Sequence, residues 1–106
     1  MTTLTLFETE QTLVGFCCEG HSGYAESGED IVCAAISSLT QFCISYLEKF
    51  NIAHASDISE RDARIECRVT EPNEAFSRLL EVLCDSVRDL QQTYPKFIRL
   101  EIMEVF

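Results

Sequence analysis

TLTLFETEQTLVGFCC, residues 3–18, decides the fold, because it commits the chain to a sheet before any helix begins. Thr3–Phe7 and Thr12–Cys18 are short β-branched and apolar runs, and the polar Glu8-Thr9-Glu10-Gln11 joins them, which predicts two strands and a hairpin. Beyond a glycine-bearing loop at 19–28, Val32, Ala35, Ile36, Leu39, Cys43, Tyr46, Leu47 and Phe50 recur at helical spacing. With no proline between them, they predict one long amphipathic helix from about Glu29 to Phe50.

A polar connection with His54, Asp57 and Ser59 leads to Asp62–Thr70, where Ala63, Ile65, Cys67 and Val69 alternate with Arg64, Glu66 and Arg68. That alternation is a strand with one wet face. Pro72 and Asn73 then open a second helix to about Leu90, with Phe76, Leu79, Leu80, Leu83, Val87 and Leu90 on one side. Ile98, Leu100 and Ile102 alternate with Arg99 and Glu101 in a last strand over Phe97–Val105. The order β-β-α-β-α-β, patterned on one side throughout, predicts an α/β (α+β) two-layer sandwich, with two helices packed on one face of a small mixed sheet. Residues 1–106 read as a single domain, and Met103 and Phe106 read as surface apolars or a dimer contact.

Composition narrows the function. The chain has 106 residues, 46% of them hydrophobic, so it can bury a core without staples. Eight Lys and Arg against eighteen Asp and Glu give a formal charge of −10, which repels phosphate backbones and anionic membranes and attracts a basic peptide or protein. Direct nucleic-acid binding is therefore not expected. The apolar runs are read as falling short of the roughly 18–20 residues of a membrane span, which predicts a soluble chain with no membrane partner. No secretory leader precedes the six cysteines, so a reducing compartment and free thiols are expected. No C-x-x-C pair occurs, and neither His21 nor His54 has a partner at ligand spacing. A metal is not expected, and nothing else calls for a cofactor.

Chemistry concentrates in GHSGYAESGEDIVCAAIS, residues 20–37. Cys33 lies about 100° round the helix from Val32, at the shoulder of the apolar stripe. It also lies near the expected helix start, where unpaired N–H groups and the dipole favour a thiolate. Gly20, Gly23 and Gly28 let the loop fold back, so His21 can reach the thiol as a base, as in cysteine hydrolases. Against this stands the plain alternative that Cys33 is one more small buried hydrophobe and His21 a surface residue. Asp30 can orient His21 or simply cap the helix, and Ser37 lies one turn beyond Cys33 on the same flank. Tyr24 and Glu26, in a loop expected to be mobile, are candidate substrate contacts or simply keep that loop soluble. The other cysteines fall within strand or helix patterns, and His54 reads as solvated.

Residues 20–37 join a G-H-x-G-Y start to a G-x-D-I-V-C-A-A-x-S finish, and in this they resemble the signature of the ribosomal-processing cysteine protease Prp family. The resemblance implies that Cys33 is the nucleophile and His21 its base, with Asp30 and Ser37 in supporting positions and Gly20, Gly23, Tyr24 and Gly28 in a moving loop. It further implies a small cytoplasmic homodimer that removes the N-terminal extension of large-subunit ribosomal protein L27. Two other readings stay open on the residues alone. One is a non-catalytic ribosome-assembly factor that binds a basic ribosomal protein through the 20–33 loop. The other is a redox-sensing thiol protein that pairs Cys33 with Cys17 or Cys18.

Overall fold

The structure, a computed structural model, describes residues 1–20 and 27–105, and the side chains of 27–30 are outside the description. Its elements in order are β1 (Thr2–Thr9), β2 (Thr12–Glu19), α1 (Ser27–Lys49), β3 (His54–Ser59), β4 (Arg64–Val69), α2 (Glu74–Thr93) and β5 (Ile98–Glu104). The five strands form one mixed sheet in the order β3-β4-β2-β1-β5, with only the β1–β5 pair parallel. The two helices pack on each other and on one face of this sheet, the α+β sandwich that the patterning predicts.

The β1–β2 hairpin closes at Glu10 and Gln11, both left-handed with φ of 49° and 66°. Two such residues in succession make the tight turn whose twist matches that of the strands. Register then sorts the side chains. Leu4 pairs with Cys18 and Leu100, Leu6 with Phe16, and Cys18 with Ile65, so these apolar residues share the face beneath the helices. The opposite face has no helix, yet Thr5, Phe7 and Cys17 on it are only 9%, 8% and 6% exposed. Long charged side chains cover them. Arg68 lies 5.6 Å from the centre of the Phe7 ring. Arg64 is shared by Glu66 at 2.9 Å, Glu19 at 3.7 Å and Asp57 at 3.8 Å.

One strand was not expected. β3 occupies the stretch read as a polar connection, pairing antiparallel with β4 from His54↔Val69 to Ser59↔Arg64. Its sequence HASDIS has no apolar alternation because it is an edge strand exposed along most of its length, and polar edges resist pairing with other chains. His54 is accordingly half-buried rather than solvated, and its Nδ1 is 2.7 Å from the Ile52 carbonyl.

α1 buries Val32, Ile36, Thr40, Cys43, Ile44 and Leu47. Phe50, assigned to that stripe by spacing, is instead exposed, because the helix ends on it. The Ile52 N–H bonds the Leu47 carbonyl at 3.0 Å, and left-handed Asn51 bonds Glu48 at 3.4 Å. Together they form a C-terminal cap that turns Ile52 back to the core. The segment Ile31–Lys49 is in fact long and apolar enough to cross a bilayer by length and composition, which the reading of apolar runs undercounts. Here its buried stripe lies on the sheet, the arrangement of a core helix. α2 starts at Asn73, whose Oδ1 accepts the Phe76 N–H at 2.9 Å, and its Ser77 hydroxyl accepts the Leu13 N–H at 3.1 Å. In β5 the alternation holds at Ile98 and Leu100 and fails at Ile102, which is exposed, as is Met103. Phe106 is outside the described residues.

At Gly15 the backbone of β4 leaves no room for a side chain on β2. A Cβ there would collide with the Cys67 carbonyl oxygen and lie 2.9 Å from the Arg68 Cα, both backbone atoms of β4. Gly15→Ala should therefore destabilise the fold by about 1–3 kcal/mol, read as a lower urea midpoint at unchanged m-value.

Candidate active site

Where β2 ends, the chain must leave the sheet sharply. Gly20 does this with φ of +92°, donating its N–H to the Ala63 carbonyl at 3.1 Å. A side chain there would be strained by the backbone angle, and its Cβ would sit 2.6 Å from the Met1 carbonyl oxygen. His21 is bonded to this glycine, but His21, Ser22, Gly23, Tyr24 and Glu26 lie outside the described residues, so their expected parts in the site are not located.

α1 begins at Ser27, two residues earlier than expected. Gly28, read as part of the loop, is helical, and so is the backbone of Asp30, whose side chain is not described. Cys33 is consequently in the second turn, about 9 Å along the axis from the helix start. Dipole effects fade within the first turn, so the helix terminus contributes less to this thiol than its expected position implies.

Cys33 is half-buried at the shoulder of the stripe, as its angle predicts. Its Sγ lies 3.1 Å from Oγ1 of Thr2, at the start of β1. Ser37 and Gln41 follow at one-turn intervals, and all three line a cavity of about 240 Å³. Cys18 and Ile65 line it from the sheet, Ile58, Ser59 and Glu60 from the end of β3, and Gly20 from the end of β2. The structure thus brings Cys33, Ser37 and Gly20 together. Sequence reading missed Thr2, Gln41 and the β3 residues. Nothing in the local sequence marks Thr2, since only its register against β5 and β2 carries it to this end of the sheet.

The other five thiols are held neutral. Burial pushes Cys18 and Cys67 up to about 12 and Cys43 to about 11. At Cys17 and Cys84 burial again raises the pKa, with Arg64 and Arg88 respectively acting against it. Each of the five is buried, Cys18 included although it lines the cavity, and of the six Cys33 alone is half-buried.

The family model for cysteine protease Prp matches residues 1–99. The chain belongs to the Prp family of cysteine proteases. Over 82 residues it is 30% identical to the ribosomal processing cysteine protease Prp of Mycoplasma pneumoniae, covering 77% of this chain and 80% of that one. The crystal structure of SMU.848 from Streptococcus mutans superposes with a TM-score of 0.83 at 25% identity, covering 99% of this chain and 96% of the other. Staphylococcus aureus Prp in complex with a substrate peptide shares the fold, with a TM-score of 0.86 at 18% identity over 97% of this chain and all of that one.

Within this Prp fold, access favours a single cysteine, and burial pushes the thiols of the other five up. Limited iodoacetamide at pH 7.5, followed by peptide mass spectrometry, should label Cys33 at least about tenfold faster than any other cysteine, and equal labelling of all six would contradict the burial described here.

Proposed function

We propose that this Prp-family protease removes the N-terminal extension of ribosomal protein L27, with Cys33 as nucleophile and His21 as general base. The observation that carries the reading is the cavity at Cys33: the half-buried thiol opens into it, and Gly20, to which His21 is bonded, forms part of its wall. In the reaction, the His21 imidazole takes the thiol proton and Sγ attacks the scissile carbonyl carbon. The tetrahedral adduct collapses as the imidazolium protonates the leaving amine, which leaves a thioester on Cys33. Water, deprotonated by the same imidazole, then hydrolyses the thioester and frees the thiol.

Staphylococcus aureus Prp has been solved both with a substrate peptide and with a covalently linked product peptide, as expected of a fold that carries covalent peptide chemistry. A formal charge of −10 favours a basic ribosomal protein tail as partner, and such substrates are met in the cytoplasm. On this reading Ser37 and Asp30 support the dyad, and the working form is a homodimer.

A synthetic peptide spanning the L27 extension and its junction should be cut once by the purified protein. Cys33→Ala should lower the rate by at least about a thousandfold, and His21→Ala by roughly 10²–10⁴-fold. Undiminished cleavage in Cys33→Ala would refute the assignment, and a fully active protein in cells despite that change would favour the non-catalytic assembly role.

A further inference from the structure

We propose that Thr2 is a positioning residue for the cysteine nucleophile, its hydroxyl holding the Cys33 sulfur and donating to it in the thiolate form. The proposal rests on the reading of Cys33 as nucleophile and adds a group that the family signature at 20–37 does not contain.

The geometry is specific. Thr2 Oγ1 is 3.1 Å from Cys33 Sγ, and Thr2 is only 2% exposed. A buried hydroxyl needs a partner, and among the described residues the thiol is the one this hydroxyl has. Its direction is set by the strand. The Thr2 N–H donates to the Phe97 carbonyl at 2.9 Å, and Thr2 pairs with Ile98 in the parallel β1–β5 ladder. A β-branched side chain on a fixed backbone has few χ1 choices, so Oγ1 is held where the sulfur lies. The same hydroxyl can accept from the neutral thiol or donate to the thiolate, and only the second is a charge-assisted bond. It therefore favours ionisation and limits rotation of the Cys33 side chain. The other titratable groups lining this cavity among the described residues are Cys18 on β2, Glu60 after β3 and Arg64 on β4. None of them is changed by a substitution at Thr2.

Thr2→Val keeps the shape and removes the hydroxyl, Thr2→Ser keeps the hydroxyl, and Thr5→Val removes a buried hydroxyl of the same strand on the opposite face. The rate of Cys33 alkylation by iodoacetamide is measured against pH by peptide mass spectrometry, with circular dichroism as the check of folding. The alkylation midpoint should rise by about one pH unit in Thr2→Val, return towards the parent in Thr2→Ser and stay put in Thr5→Val. Turnover of the L27 peptide should fall about tenfold in Thr2→Val with KM within about twofold. If Val at this position prevents folding, Thr2→Ala supplies the same comparison. A folded Thr2→Val with an unshifted midpoint, or a Thr2→Ser shifted as far, would overturn the proposal. Cleavage retained in Cys33→Ala would overturn the parent reading instead, without moving the alkylation midpoints.

Discussion

The close approach of β2 to β4 at Gly15 is the constraint on which the site depends. With no side chain between them, the two backbones lock into one register, and that register places Cys18 opposite Ile65 and Glu19 opposite Arg64. β2 therefore ends beside the start of β4, where Gly20 can bond to Ala63 and turn the chain out of the sheet. On the other side of β2, pairing of Leu4 with Cys18 brings Thr2 to the same end of the sheet. A slip of one residue would send Cys18 to the charged face and remove part of the cavity wall next to Cys33. The architecture of the site is thus a consequence of strand register, and α1 contributes its side chains to a place the sheet has already defined.

The two faces of the sheet solve burial differently. One is covered by helices, whose stripes meet Leu4, Leu6, Phe16 and Cys67 in a continuous core. The other is covered by arginine stems and their carboxylate partners, which shield Thr5, Phe7 and Cys17 while keeping charges in water. Exposed ion pairs of this kind contribute little through attraction alone, so the gain on that face comes mostly from the apolar area the stems remove from water. An acidic chain with eight cations has placed three of them, Arg64, Arg68 and Arg99, on this one surface.

What was legible in the sequence was what repeats. Ile65, Cys67 and Val69 alternate with charged residues and are buried as that alternation requires, and the Phe76-Leu80-Leu83-Val87 stripe of α2 is the buried face of that helix. β3 was illegible because an edge strand gains its place from backbone pairing with β4, to which its side chains bear no witness. Phe50 misled because helical spacing continues to the residue just before the backbone turns left-handed at Asn51. At the site, the shoulder position of Cys33 followed from helical angle alone. Thr2 could not be found that way, since it is 31 positions distant along the chain and is brought to the sulfur by register.

With Cys33 proposed as the nucleophile, its position also bears on how that sulfur would be activated. A thiol near a helix start can borrow the dipole, but α1 begins at Ser27 and leaves Cys33 a turn too deep for much of that effect. Deeper burial is no remedy, because desolvation is what pushes the Cys18, Cys43 and Cys67 thiols up. At this depth the hydrogen-bonding group that reaches the sulfur comes from outside its own helix, at Thr2 on β1. The shoulder is the place on α1 that meets both demands, since one side of the sulfur faces the cavity and the other faces the sheet. A residue on the stripe would lose the cavity, and one on the outer face would lose the sheet. The angle that sets Cys33 apart from the core cysteines is therefore the same angle that brings it against the hydroxyl of Thr2 and into the cavity that Gly20 helps to line.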